Sequence, residues 1–328
     1  MNNLKHPFLY SISAATTALL FLTEPCPAET PKTVLVVSET EGYRHSCIET
    51  ANQVFAQLAL TNGDFTVDFA GTRQDLTNKM SASALSNYDG IVFQNTSGDL
   101  PLPDINAFLA WIASGKGFMA VHAGIAGSTL PSYPAYADML GAETLSHTAV
   151  QQVQVFNRDS QNAASRHFAT SFQWTDEIWL FQNMHANEVH ELLGMNQDPS
   201  TGVPGDYPLV WCKTYGGGRV LATALGHTQD VWLSTAFQQH VLGGIRWMLK
   251  LDRGGLPRLV VGQPAFSGGS FAFHFDGVAV ETYQVQASSN LVDWSSISTN
   301  TALSNTTYHI LDTGAGAFSR RFYRVVLP

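Results

Sequence analysis

The amino-acid sequence predicts an α/β fold, with a mainly parallel sheet and helices on both faces, followed by a small all-β domain. From residue 33 to about residue 250, short β-branched runs alternate with helical spacings, which is typical of βαβ units. Beyond Arg253-Gly254-Gly255 the helical period disappears, and glycine-rich turns separate short runs. The chain has 328 residues, of which 45% are hydrophobic, and this length suits two domains. We therefore expect an α/β domain over 29–253 and a β-module over 257–328.

Each element is predicted from its local pattern. Strands are predicted at 33–38, 65–69, 91–95, 118–122, 150–156, 189–193, 209–212 and 220–225. Apolar residues recur every three or four positions between Ile48 and Leu58, which indicates one face of a helix. The same spacing predicts a helix after Pro103 and a closing helix over 237–248. In the C-terminal part, short runs at 270–275, 278–285, 308–311 and 321–326 predict a small sandwich or hairpin stack.

The N-terminus has the pattern of an export signal. Lys5 precedes an apolar run over 8–22, and the small residue Ala28 follows. Because the run is too short for a typical membrane span, we expect cleavage near Ala28, a periplasmic or extracellular protein, and no membrane span after cleavage. An uncleaved membrane anchor is the alternative. The mature chain would retain Cys47 and Cys212, and the sequence leaves open whether they form a disulfide.

Charge and motif content exclude two classes of ligand. The chain carries 17 Lys and Arg against 26 Asp and Glu, a formal net charge of −9, so a nucleic-acid partner is not expected. The glycine triplet 216–218 lacks the pattern of a nucleotide-binding loop and indicates a tight turn. No nucleotide cofactor is therefore expected.

Four histidines follow or adjoin predicted strands and suggest a common site. His45, His122 and His227 lie in loops after strands, and His147 lies in a further loop. Loops after parallel strands meet at one edge of an open sheet, where ligands bind. Neutral imidazoles with a carboxylate suit Zn²⁺ or another divalent metal ion. We name His45, His147 and His227 as candidate metal ligands, a hypothesis that depends on spatial convergence because no HxH or HExxH motif is present.

An acidic pair supplies the candidate proton donor. Asp176 and Glu177 lie between Trp174 and Trp179. Neighbouring residues of a strand face opposite sides, so only one carboxyl can enter the cleft. We favour Glu177, whose pKa the surrounding rings would raise, as the catalytic partner of His122; a helix N-cap or a surface turn is the alternative. The candidate substrate-binding residues are Arg44, His45, Asp99 and Trp179.

The segments that carry these residues resemble a known family. In order they are EGYRHSCIE, NTSGD, GKGFMAVHAG, SHT, TDEIW, PLVWC, GGGRVLATALGHT and HVLGGIRW. Together they resemble the ThuA-like (trehalose utilisation) family over about residues 33–250, which implies a flavodoxin-like, class I glutamine amidotransferase-like fold. Such amidotransferases carry a cysteine at the strand-to-helix turn where this sequence has His122, so glutamine hydrolysis is not expected. The C-terminal segments YQVQASSNLVDW and RRFYRVVLP resemble a β-module of secreted bacterial proteins.

The resemblance implies a carbohydrate substrate. We expect an exported enzyme (a hydrolase, lyase or isomerase) that acts on a disaccharide or a keto-sugar derivative. Acid–base groups, assisted by a metal ion where one is bound, would cleave or isomerise this small-molecule substrate. The alternatives are a non-catalytic sugar-binding protein and a cell-surface interaction protein on the same scaffold. The sequence does not predict the oligomeric state.

Overall fold

The computed structural model describes residues 30–252 and 264–326. The predicted signal peptide over 1–28 and the predicted junction between the two domains near residue 254 lie outside these ranges. The division into two domains therefore stays a prediction. Within the described ranges, no helix is long and apolar enough to cross a membrane.

A nine-stranded sheet organises the first part of the chain and confirms the predicted fold class. Its strands are β1 (Lys32–Val37), β2 (Phe65–Ala70), β3 (Gly90–Gln94), β4 (Gly117–Val121), β5 (Glu143–Asn157), β6 (Ser171–Gln182), β7 (His190–Gln197), β8 (Pro204–Tyr215) and β9 (Gly218–Thr223). They lie in the order β2-β1-β3-β4-β9-β8-β7-β5-β6. The pairings from β2 to β9 are parallel, and those from β9 to β6 are antiparallel. The sheet is thus mixed, and its parallel half provides the edge at which a ligand site is expected.

Helices cover both faces of the parallel half. They are α1 (Ile48–Asn62), α2 (Arg73–Lys79), α3 (Ile105–Ala113), α4 (Pro134–Leu140), α5 (Gln229–Leu233) and α6 (Thr235–Met248). On β4, Phe118 packs on Phe108 of α3 with ring centroids 5.5 Å apart. The next residue, Met119, lies so close to α6 that a Cβ on Gly244 would meet its side chain at 3.1 Å. Adjacent strand residues face opposite sides, so α3 and α6 pack on opposite faces of the sheet.

The sequence pattern predicted β5 only in part and missed β6. β5 begins seven residues before its predicted start, and its pairing with β6 shifts register between Thr144 and Ser146 and between His147 and Val150. Bulges interrupt the alternation on which a strand prediction depends. In β6 the adjacent charged residues Asp176 and Glu177 are both buried, although such a pair favours a turn by composition. The predicted glycine turn is confirmed, since Gly216 lies between β8 and β9 with φ +57°.

The C-terminal part is all-β, as predicted. Its strands are β10 (Ala265–Ser267), β11 (Ser270–Gly277), β12 (Thr282–Ser288), β13 (Ser295–Thr301), β14 (Thr306–Asp312) and β15 (Phe322–Val326). They form two three-stranded antiparallel sheets, β10-β11-β14 and β13-β12-β15. Phe275, Tyr283, Val285 and Ile310 form a small buried core. The serine- and threonine-rich strand β13 was not predicted, because it lacks an apolar alternation.

Polar contacts between described residues join this β-module to the α/β part. The Arg219 guanidinium forms a buried ion pair with Glu281 and donates through Nη1 to the Trp247 carbonyl at 2.9 Å. Asn305 Nδ2 donates to Asp159 Oδ1 at 3.1 Å. Buried charges are tolerated when they are paired, so the Arg219 and Glu281 charges remain paired only while the two parts are in contact.

Candidate functional site

His122 occupies a strained position directly after β4. Its φ of +54° is rare for a residue with a side chain. The fully buried ring donates from Nδ1 to the Ala224 carbonyl at 2.8 Å. Because a carbonyl oxygen only accepts, this bond places the proton of the neutral ring on Nδ1 and leaves the lone pair on Nε2. Nε2 is thus available as an acceptor or a metal ligand.

Two further imidazoles lie next to His122. His227 follows β9, and its Nδ1 lies 3.1 Å from His122 Nε2. His45, from the loop between β1 and α1, lies with its ring centroid 4.9 Å from that of His122 and 5.2 Å from that of His227. His45 Nδ1 is buried and has no hydrogen-bond partner within the described part of the chain. The structure brings these three histidines together, as their positions in the sequence predicted.

Glu177 approaches the imidazoles from β6. Its Oε2 lies 3.2 Å from His122 Nε2 and 3.4 Å from His227 Nδ1. Its Oε1 lies 3.0 Å from Nδ1 of His147, whose side chain is 53% exposed. The structure therefore brings both predicted catalytic residues, His122 and Glu177, into the same cluster.

Four of these residues form a donor set that fits a metal ion. His45, His122, Glu177 and His227 each offer one ligand atom, and the four atoms lie within 4.8 Å of one another. Imidazole nitrogen with a carboxylate oxygen is a ligand combination that Zn²⁺ accepts. Two of the predicted metal ligands, His45 and His227, belong to this set. The third, His147, reaches it only through Glu177.

The charges in the cluster depend on one another. Burial and the neighbouring imidazoles lower the pKa of His45 to about 3, so this ring is neutral at physiological pH. Burial acts to raise the pKa of Glu177, but the interactions with His122 and His227 outweigh it and hold this pKa well below its usual range. The hydrogen bond to Glu177 raises the pKa of His227. The prediction of a raised Glu177 pKa is thus wrong, because the interactions with imidazoles that follow other strands outweigh desolvation.

The remaining predicted substrate residues bind other protein groups or are enclosed. Arg44 pairs with the exposed Glu49, with Nη2 2.9 Å from Oε1. Asp99 accepts from the Ser132 hydroxyl at 2.6 Å. Trp179 is buried, and its Nε1 donates to His122 Nε2 at 3.4 Å. Arg44 and Asp99 thus have local structural partners, and Trp179 packs against His122.

Comparison with known proteins identifies the family. The chain matches the ThuA family, described as trehalose utilisation, over residues 33–248. It belongs to the ThuA family. Membership implies a carbohydrate-related role. A comparison with curated protein sequences finds no match.

Two solved structures share the ThuA fold with this chain. A ThuA-like protein from Bacteroides uniformis is 19% identical, with a TM-score of 0.58, over 71% of this chain and 98% of its own. A ThuA-like protein from Parabacteroides merdae is 20% identical, with a TM-score of 0.56, over 68% of this chain and 91% of its own. At these identities the likeness shows the fold alone.

The two cysteines among the described residues of this ThuA protein are structural. Cys47 and Cys212 are both free and buried, so they do not form a disulfide with each other. Cys47 Sγ donates to the Gly226 carbonyl at 3.5 Å, and burial raises the pKa of this thiol to about 12. A thiol protonated at physiological pH is a poor nucleophile, so the contacts of Cys47 indicate a packing role.

Sequence reasoning did not select two residues at the site. Tyr43 is 68% exposed, and its ring lies edge-on to His45 with centroids 4.8 Å apart. Its position two residues before His45 in the EGYRH segment is the signal that could have identified it. Asp176, set aside in favour of Glu177, accepts hydrogen bonds from the backbone N–H groups of Gly226 and His227 at 2.8 and 3.1 Å. No local pattern reports such a contact across 50 residues.

Proposed function

We propose that this ThuA protein is a metal-assisted enzyme that acts on a disaccharide or a keto-sugar derivative. The observation that carries the proposal is the set of four donor atoms, from His45, His122, Glu177 and His227, within 4.8 Å of one another. Three imidazoles and one carboxylate suit Zn²⁺ or another divalent ion that accepts a fifth ligand. The sequence pattern of residues 1–28 supports a periplasmic or extracellular place of action.

The chain prepares this site before any ion binds. The hydrogen bond from His122 Nδ1 to the Ala224 carbonyl orients the Nε2 lone pair towards the cluster. Such outer contacts fix the tautomer of a ligating histidine and increase its basicity. Glu177 Oε2 faces two imidazoles, while its Oε1 faces His147. When bound, a divalent ion would polarise a substrate oxygen and lower the pKa of a bound water.

His147 is the side chain best placed to move a proton. Glu177 Oε1 lies 3.0 Å from His147 Nδ1 and orients the ring, whose side chain is half exposed. The Nε2 edge is then available to a substrate oxygen. We assign the acid–base role to His147 because the acceptor atoms of His122 and Glu177, the residues that the sequence suggested for it, face into the cluster. Bond cleavage and isomerisation both use such a group beside a polarised oxygen.

An exposed aromatic ring lies at the rim of the site. The Tyr43 carbonyl accepts from the hydroxyls of Ser97 at 2.8 Å and Thr40 at 3.1 Å. These bonds hold the loop so that the Tyr43 ring stays in the solvent next to His45. Ligand sites commonly combine aromatic surfaces with a few convergent polar groups. We assign Tyr43 as a contact for a sugar ring.

Metal analysis and turnover of the purified protein test the proposal. We expect stoichiometric Zn²⁺ or another divalent ion, and loss of that ion in His45→Ala and His227→Ala. Trehalose, sucrose and 3-keto-glycosides are then incubated with the protein before and after chelation, and their products are followed. Turnover that depends on the ion supports the proposal. Absence of stoichiometric metal with turnover unaffected by chelation contradicts it, and sugar binding without turnover favours a non-catalytic binding protein.

A further inference from the structure

Asp176, the neighbour of Glu177 on β6, has a carboxylate that is fully buried and accepts four N–H groups. Oδ2 accepts from Gly226 N at 2.8 Å and from Trp174 Nε1 at 3.4 Å. Oδ1 accepts from His227 N at 3.1 Å and from Glu177 N at 3.0 Å. A buried carboxylate is costly unless its oxygens are satisfied, and bonds from N–H groups to a charged acceptor are strong ones.

The peptide that Asp176 binds is also held at its other end. The Gly226 carbonyl accepts from Trp232 Nε1 at 2.9 Å and from Asn95 Nδ2 at 3.1 Å. Gly226 itself has φ +115°, a conformation that favours glycine. With the Cys47 thiol, which also donates to this carbonyl, the N–H and the C=O of Gly226 are thus bound by side chains from four separate parts of the chain. Such a turn has little freedom to move.

This turn, residues 224–227, sets the orientation of two imidazoles of the cluster. The Ala224 carbonyl accepts from His122 Nδ1 at 2.8 Å, and His227 is the last residue of the turn. The strand that binds the turn through Asp176 presents Glu177 to the same two rings. Alternation along β6 sends the two adjacent carboxylates to different partners, one to the backbone and one to the imidazoles.

We propose that Asp176 is a positioning residue for the metal site, which fixes the spacing between the Glu177 carboxylate and the imidazoles of His122 and His227. The inference rests on the proposed metal site. Asp176 acts through the backbone of the turn and contacts neither substrate nor ion. Carboxylates that support metal ligands from behind typically contribute about 10–100-fold to affinity for the ion.

The test is Asp176→Asn in the full mature protein, titrated with Zn²⁺ and with Co²⁺. The amide keeps the shape of the side chain but has only one oxygen, so either Gly226 N–H or His227 N–H, which bond to different oxygens of Asp176, loses its acceptor. We expect about a 10–100-fold weaker affinity for Zn²⁺ and a changed absorption spectrum for bound Co²⁺. Asp176→Glu, which restores both oxygens and the charge, should recover part of the affinity. Asp176→Glu also carries the titration if the Asn variant does not fold.

Asp159→Asn is the matched control. Its carboxylate is buried and accepts from a backbone N–H, that of Gln161 at 2.8 Å, but its side-chain partners are His190 and Asn305. This variant should lose thermal stability and keep the affinity for Zn²⁺ and the Co²⁺ spectrum. Unchanged affinity and spectrum in the Asp176 variants, with normal ion binding by the wild type, would overturn the positioning role alone. Equal losses in the Asp159 and Asp176 variants would also overturn it, and a wild type that binds no ion overturns the proposed function together with this inference.

Discussion

Replacement of Glu177 by Gln should remove most of the stabilisation that a bound ion confers. Glu177 is the only anionic member of the four-residue donor set. Its Oε2 faces the imidazoles of His122 and His227 at 3.2 and 3.4 Å. The amide keeps the size of the side chain but cancels the charge, so the ion would be bound by neutral ligands alone. We expect a loss of affinity of at least about 100-fold, the upper value for removal of a mere outer-shell partner.

The size of the effect follows from linkage between binding and folding. An ion at about 1,000 times its Kd stabilises a protein by about 4.1 kcal/mol. After a loss of affinity of about 100-fold, the same ion concentration is about 10 times Kd and stabilises by about 1.4 kcal/mol. The difference of about 2.7 kcal/mol corresponds to about 5 °C in Tm, at about 2 °C per kcal/mol for a chain of this size.

Thermal melts with and without Zn²⁺ measure this change. Zn²⁺ should raise the Tm of the wild type, and most of this rise should be absent in Glu177→Gln. An ion titration should show the matching change in Kd. Glu191→Gln is the control, because Glu191 on β7 is similarly enclosed, with a side chain 17% exposed against 11% for Glu177. If Glu177→Gln retains the full Zn²⁺-dependent rise in Tm, the assignment of Glu177 as a ligand is wrong.

Four further outcomes are expected. His147→Ala should lower kcat by about 10²–10⁴-fold and leave the affinity for Zn²⁺ unchanged; a loss of ion binding would instead make His147 a ligand. Tyr43→Ala should raise KM by about 2–13-fold, from the 0.5–1.5 kcal/mol that aromatic contacts contribute, whereas Tyr43→Phe should behave as wild type in steady-state assays. Ion binding needs neutral imidazoles. Since the pKa of His227 is raised, the ion should begin to dissociate, as the pH is lowered, at a pH above the pKa of an ordinary histidine. Dissociation only at more acidic pH would contradict this. Glu281→Ala should lower the free energy of unfolding by about 3–5 kcal/mol in denaturant unfolding, because it leaves the Arg219 guanidinium buried without its partner. An effect below about 1 kcal/mol, as for an exposed pair, would show that the pair is solvated.

The elements that the sequence predicts well are those whose pattern is local. The strands β1, β3, β4 and β9 are largely apolar runs buried on both faces, and α1, α3 and α6 have the spacing of a helix with one buried face. The strands β6, β10 and β13 were missed. β6 buries an acidic pair, β10 has only three residues, and β13 has no apolar alternation.

The candidate site divides in the same way. The expectation that His45, His122 and His227 would meet follows from their positions after parallel strands, whose ends share one edge of a sheet. The pKa of Glu177 could not be predicted from its aromatic neighbours along the chain. Its direction depends on imidazoles that β4 and β9 bring within hydrogen-bond distance.

By itself the sequence determined the α/β class, the all-β character of the C-terminal part and the histidines that reach the ligand-binding edge. Each of these depends on residue type at fixed spacing along one segment. Only the tertiary structure decided which carboxylate faces the imidazoles. It also decided that His147 contacts Glu177 without belonging to the four-residue set, and that Asp176 binds the turn that ends at His227. The physical reason is that these contacts join residues about 30 to 55 positions apart, and their distances depend on how the strands pair and twist, which no local pattern records.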